Sequence, residues 1–275
     1  MTAEPLSTRG EYTVHGEAAE ANRLAVQAQV MSDPTSRLLA GAGLTPGWSC
    51  LDVGCGGGQV SLELARRVGP DGSVVGVDLS EYMVAQAAHA VDQAGLGNVR
   101  FQAADVYALP FQDAFDLAYA RLLLSYLAEP VLALRAMAAA VVEGGVVVVE
   151  DLFTDSLRSE PATPALDDLR RIYGAAVRAH AGDPTIGPRL PALFRIAGLT
   201  DVHATSTVNV MRSVEEKQSL VTLVDLMRQS MIETEAATGE EIDAMRAGVD
   251  AAARNPDCRF YQARIHQVWG RRRGH

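Results

Sequence analysis

Cations are scarce in this chain. Its 275 residues hold 24 Lys plus Arg against 34 Asp plus Glu, a formal net charge of −10. General nucleic-acid binding needs clustered cations for phosphate contacts, so the balance argues against that class. Cysteine is scarce too, and Cys50, Cys55 and Cys258 form neither a CxxC pair nor an even-numbered framework. That usage predicts a reduced, intracellular protein. The polar first stretch, residues 1–16, leads into no apolar h-region, so no signal peptide is expected. The apolar runs at 131–142 and 146–149 are too short for a membrane span. Internal repeats and low-complexity segments are missing. The expectation is a soluble cytoplasmic protein.

A full core is within reach, because 48% of the residues are hydrophobic and 21% are charged. Helical spacing marks 17–31, and a second short helix is predicted at 36–42 before Gly43 and Pro46. From Ser49 onwards short strand-like runs alternate with longer helical ones. The strands read as 49–53, 73–78, 99–103, 115–119 and 146–150, with helices at 59–68, 82–94 and 131–142. Such alternation predicts a parallel sheet with helices on both faces. Later strands fall near 201–210 and 260–268, making seven, and the last two suit an antiparallel edge pair. Between them, Ser213 with Glu216 and Thr238 with Glu241 match capping boxes that open two helices. Leu166, Leu169, Ile172 and Tyr173 mark an amphipathic helix within a long insertion at 154–187.

The most informative segment is Asp52-Val53-Gly54-Cys55-Gly56-Gly57-Gly58, between a strand and a helix. Glycines there let a ligand approach the backbone closely. A dinucleotide fingerprint needs a third glycine at position 59, which is Gln59, and no phosphate-loop GK[ST] follows. Asp78 ends the next strand, 24 positions after Gly54, where a carboxylate accepts from ribose hydroxyls. Asp105 follows the third strand and suits an adenine amino group, although loops after strands also carry solvated Asp. Cys55 lacks a resolving partner and reads as a small residue whose backbone matters.

Val77-Asp78-Leu79-Ser80, Ala104-Asp105-Val106 and 115–121 follow the glycine turn in order. These four motifs resemble those of the class I S-adenosylmethionine-dependent methyltransferases, and small-molecule members of natural-product and ubiquinone type in particular. The resemblance implies a Rossmann-like α/β fold of seven strands, order 3-2-1-4-5-7-6, with strand 7 antiparallel. It also implies S-adenosylmethionine as cofactor, held by the backbone of Gly54, Cys55 and Gly56, with Asp78 on its ribose. Asp105 and Val106 would hold its adenine, between Leu79 and Met83. Asp52 and Arg121 would line its methionine end. Residues 12–16, with Arg23 and Gln27, resemble a cap segment, so Tyr12 and Gln27 join the cofactor set. The expected division is a helical cap at 1–45 and a methyltransferase domain at 46–275, with 154–187 as a lid.

His15 and Asp151 are the candidate catalytic groups on the substrate side. No Asn/Asp-Pro-Pro-Tyr-like motif follows the fourth strand, which reads Ala118-Tyr119-Ala120-Arg121. No acidic cluster for a metal-dependent catechol site stands there either, so no metal is expected. The expected reaction is metal-independent methyl transfer to O, N or C of a small molecule in secondary metabolism. Two rivals stay open: an RNA or protein methyltransferase, and a protein or cyclase that binds the cofactor without transferring methyl. The helices at 213–233 and 238–253 either pack on the sheet or form a homodimer surface.

Overall fold

The computed structural model describes residues 17–274. Its centre is a seven-stranded sheet of order β3-β2-β1-β4-β5-β10-β7. The strands are β1 (Ser49–Val53), β2 (Ser73–Asp78), β3 (Val99–Ala103), β4 (Phe115–Arg121), β5 (Val141–Phe153), β7 (Leu199–Thr207) and β10 (Arg264–Arg272). The first five run parallel, and β10 lies antiparallel between β5 and β7. This is the expected order, with the seventh strand of the sheet reversed. Central strands of a parallel sheet are covered on both faces, so Leu51, Val53, Val75, Leu117 and Val147 are buried.

Local chemistry sets the helices. In α2 (Gln59–Val68), Val60, Leu64 and Val68 recur every four residues and bury one stripe. Ser80 caps α3 (Glu81–Ala94) by accepting from Met83 N, and Gly95 closes it at φ 67°. Pro130 opens α4 (Pro130–Ala140), whose end passes straight into β5. The helix therefore stops two residues before its sequence pattern does. Val141 and Val142 are β-branched, and Val141 already pairs with Phe115 of β4.

Three features depart from the sequence expectation. The first is α1 (Glu17–Gly41), one helix that runs through Pro34. Proline removes one helical hydrogen bond, and tertiary contacts offset the loss. Met31, Leu38 and Leu39 are buried, and Thr35 Oγ1 donates to Glu150 Oε1 at 2.7 Å. Glu150 is fully buried and also accepts from Tyr119 OH and, at 2.8 Å, from Gln267 Nε2. One carboxylate thus ties α1 to β4, β5 and β10.

Second, the strands expected at 201–210 and 260–268 each split. Their outer ends leave the large sheet and form, with β6 (Arg158–Glu160), a small sheet of order β6-β9-β8. Here β8 is Val210–Met211 and β9 is Arg259–Tyr261.

Third, α7 (Val214–Glu233) and α8 (Gly239–Arg254) pack chiefly on each other and on other helices rather than on the large sheet. Both open on the expected capping boxes. They join α5 (Pro164–Ala179) and the small sheet in a second hydrophobic core around Leu169, Ile172, Val224, Met227, Ile242 and Phe260. Helix α7 also packs on α1. The 154–187 segment supplies only part of this layer, and α6 (Leu190–Ile196) packs instead on α4 and β7. Lys217, the only lysine of the sequence, is fully buried in it. Its Nζ donates to Asn255 O at 2.8 Å and Cys258 O at 2.9 Å, which locks the start of α7 to the end of α8.

Candidate functional site

Strand order reverses direction between β1 and β4, the usual place for a ligand crevice in an open α/β sheet. A cavity of about 700 Å³ opens there, at the carboxyl ends of the strands. The glycine-rich turn forms its floor. Gly54 and Cys55 donate their N–H groups to Val77 O at 2.8 and 2.9 Å, which fastens the turn to β2. Gly54 and Gly56 take φ values of 70° and 49°, where side chains are strained. A Cβ on Gly54 would lie 3.1 Å from Leu123, and one on Gly56 would lie 3.2 Å from Leu24. Both glycines keep the backbone bare where the cavity needs it.

Asp78 stands at the end of β2. Its carboxylate accepts from Gly56 N at 2.9 Å and from Ser80 N at 3.0 Å. Each oxygen keeps a further lone pair for hydroxyl donors. Leu79 beside it is 56% exposed, an unusual place for leucine unless a ligand covers it, and Met83 lies below. Asp105 accepts from Tyr107 N at 2.9 Å, which caps a short turn and sets Asp105 and Val106 in the cavity wall.

Asp52 and Arg121 also line the cavity, near enough for the Arg121 charge to act on Asp52, and α1 brings in Gln27. Asp52 is buried and accepts from Ser61 Oγ at 2.6 Å. Burial pushes its pKa up to about 6, while Ser61 and the nearby Arg121 charge oppose the rise. Cys55 is buried, and desolvation followed by the charges of Asp52 and Asp78 drives its thiol pKa far up. It has no thiolate character to support redox or nucleophilic work.

Asp151 does not line the cavity. It is fully buried and accepts from Ser125 N at 3.0 Å and Leu152 N at 2.8 Å. Burial pushes its pKa up to about 6, against these hydrogen bonds. Its visible task is to hold the turn at 123–126. Tyr12 and His15 lie outside the described residues.

The other half of the cavity comes from the second layer. Leu157, Leu169, Met211, Leu220 and Leu223 make it apolar. Its polar groups include Thr154, Gln262 and the hydroxyls of Tyr126 and Tyr173, which lie 2.6 Å apart. The sequence pattern marks the amphipathic face that bears Tyr173, but it points to neither Thr154 nor Gln262. Neither stands in a motif. Both reach the cavity only because the chain crosses there between the two sheets. Among the described residues, the carboxylates lining the cavity are Asp52, Asp78 and Asp105, and all three sit in the first half.

This fold and crevice define a class of α/β proteins that bind a nucleoside-bearing ligand at the end of β2. The family model described as "Methyltransferase domain" matches residues 44–181, half of the chain. Demethylmenaquinone methyltransferase of Staphylococcus aureus is 30% identical over 138 residues, covering 50% of this chain and 54% of that protein. The chain spans about half the length of the curated relatives it matches. Among solved structures, the YcgJ protein from Bacillus subtilis aligns at TM-score 0.60 and 19% identity, over 87% of this chain and 98% of that one. The [4+2]-cyclase SpnF aligns at TM-score 0.55 and 20% identity, over 88% and 81%. The chain belongs to the class I S-adenosylmethionine-dependent methyltransferase family.

Proposed function

We propose that the protein transfers a methyl group from S-adenosylmethionine to O, N or C of a small, neutral, partly apolar acceptor. One observation carries this reading: the cavity has two unlike halves, one with a bare glycine backbone and three carboxylates, the other apolar. The residues of the first half fit the cofactor. Gly54, Cys55 and Gly56 admit it along the backbone, and Asp78 has lone pairs for its ribose hydroxyls. Asp105 and Val106 meet the adenine, with Leu79 and Met83 against its faces. Asp52 and Arg121 take the amino-acid end, while Gln27 and, from the first sixteen residues, Tyr12 close over it.

When bound, the cofactor supplies a methyl group already activated on a sulfonium. The chain must then align the acceptor and exclude water, and positioning of this kind carries much of the rate. Helices α1, α5 and α7 wall off the acceptor half. Asp151 acts through the 123–126 turn as a positioning residue. His15 is the candidate base, in keeping with the lack of Asp, Glu or His among the described residues lining the acceptor half. The relative named for demethylmenaquinone supports an apolar acceptor. The acidic balance disfavours RNA. Three unpaired, buried cysteines support a cytoplasmic setting.

The test is incubation with methyl-labelled S-adenosylmethionine and parallel panels of neutral phenols and amines, RNA and protein. Label should pass to an organic-extractable small molecule. Label only in RNA or protein would contradict the reading. Label in none of them, with the cofactor bound, would favour binding without transfer. The lack of a carboxylate or histidine among the described residues of the acceptor half is the observation behind that second reading.

A further inference from the structure

The acceptor half holds two polar groups with unused hydrogen-bonding capacity. The links 154–157 and 262–263 face each other where the chain passes between the sheets. On one side Phe153 pairs with Arg264, and on the other Arg158 pairs with Tyr261. Arg264 N donates to Ser156 Oγ at 2.6 Å across the gap. Thr154 lines the cavity at 4% exposure. Its backbone is engaged, donating to Pro184 O at 3.0 Å and accepting from Leu157 N at 3.0 Å. Its Oγ1 is buried with no hydrogen-bond partner among the described residues. A buried hydroxyl of this kind is rare and calls for an occupant.

Gln262 lies opposite at 7% exposure and also lines the cavity. Its Oε1 accepts from Asn209 Nδ2 at 3.1 Å. Its Nε2 is thereby the remaining end, a donor with no acceptor among the described residues. Tyr126 and Tyr173 line the same cavity, as do Leu157, Leu169 and Met211. Arg170, the nearby cation in the wall, is matched by Asp167 at 3.1 Å and by the carbonyls of Asp155 and Leu157. The surroundings call for a neutral ligand oxygen rather than an anion. The Gln262 amide nitrogen only donates, so the ligand must bring an accepting oxygen, and the Thr154 hydroxyl is a second donor in the same cavity wall.

We propose that Thr154 and Gln262, beside the Tyr126–Tyr173 hydroxyls, form an oxygen-reading site that selects neutral apolar molecules carrying a ketone or hydroxyl oxygen. The proposal rests on the methyl-transfer reading only in taking such a molecule to be the acceptor. A site built for an oxygen rejects the analogue that lacks it, because its own polar groups are then left unpaired.

The probes are 1-tetralone and tetralin, one carbon skeleton with and without the carbonyl oxygen. Their dissociation constants are measured by ligand-observed NMR titration, with and without saturating S-adenosylhomocysteine. The wild-type protein should bind 1-tetralone about tenfold more tightly than tetralin. Thr154→Val and Gln262→Met should each cut that ratio, and the double variant should bring it close to one. Thr154→Ser should retain it, which separates loss of the hydroxyl from loss of fold. Equal wild-type binding of the two compounds, binding of neither, or a ratio unchanged in the double variant would overturn the proposal. S-adenosylhomocysteine binding is measured in its own titration. Its absence alongside an intact tetralone preference would sink the methyl-transfer reading and leave the oxygen-reading site standing.

Discussion

Two buried carboxyls, Asp52 and Asp151, carry the residue-scale chemistry, each with its pKa pushed up to about 6 mainly by burial. For Asp151 the sign is clear. The folded state holds the proton more tightly than the unfolded chain, so this residue's contribution to stability falls as pH rises from about 4 to about 6. The difference in unfolding free energy between Asp151→Asn and wild type should therefore change by about 2–3 kcal/mol across that window. Urea titrations at a series of pH values check this, and parallel curves would refute it. Asp52 gives a binding prediction. A cationic amino group at its end of the cavity favours the carboxylate, so S-adenosylhomocysteine affinity should fall as pH drops from 7 to 5. Asp52→Asn should flatten the profile. Asp78, Asp105 and the glycines were legible in sequence because each stands within a few residues of a strand end. Thr154 and Gln262 were not, since their neighbours across the gap are about a hundred positions away.

At the scale of elements, local signals located most helices and strands. Capping boxes opened α7 and α8 as read, and alternation placed the first five strands. What failed to show was anything decided by a distant partner. The sequence pattern ends one helix at 31 and opens another at 36, yet α1 runs on through Pro34, where Thr35 reaches the buried Glu150. Thr35→Val should cost about 1–3 kcal/mol, since it takes a donor from a buried carboxylate. It should also speed amide exchange in the 23–33 half of α1, the half that carries Leu24 and Gln27 into the cavity. Unchanged exchange there would show that α1 is held by its apolar contacts alone. Similarly, the late strands read as continuous because nothing local marks the points at 208–209 and 262–263 where they change sheets.

The whole molecule has a sheet layer and a second, helical layer, with the cavity between them. The sheet order was legible through the motif series, whereas the second layer was not, because α5 and the α7–α8 pair come from separate insertions. Lys217 tests how far the layers are independent. Lys217→Met leaves the buried Cys258 carbonyl and the part-buried Asn255 carbonyl without their donor, which should destabilise the protein by about 1–3 kcal/mol. Faster hydrogen exchange should appear in α7 and α8 before it appears in β1, β4 and β5. Simultaneous loss of protection everywhere would mean one cooperative unit.

The most direct test of the cofactor site is calorimetric titration of S-adenosylhomocysteine into the wild-type protein and into Asp78→Ala. Wild type should bind with a micromolar or tighter dissociation constant. The variant should bind at least about tenfold more weakly, having lost the carboxylate that also fixes Gly56 and Ser80. Absence of binding by folded wild type, or equal binding by the variant, would contradict the account.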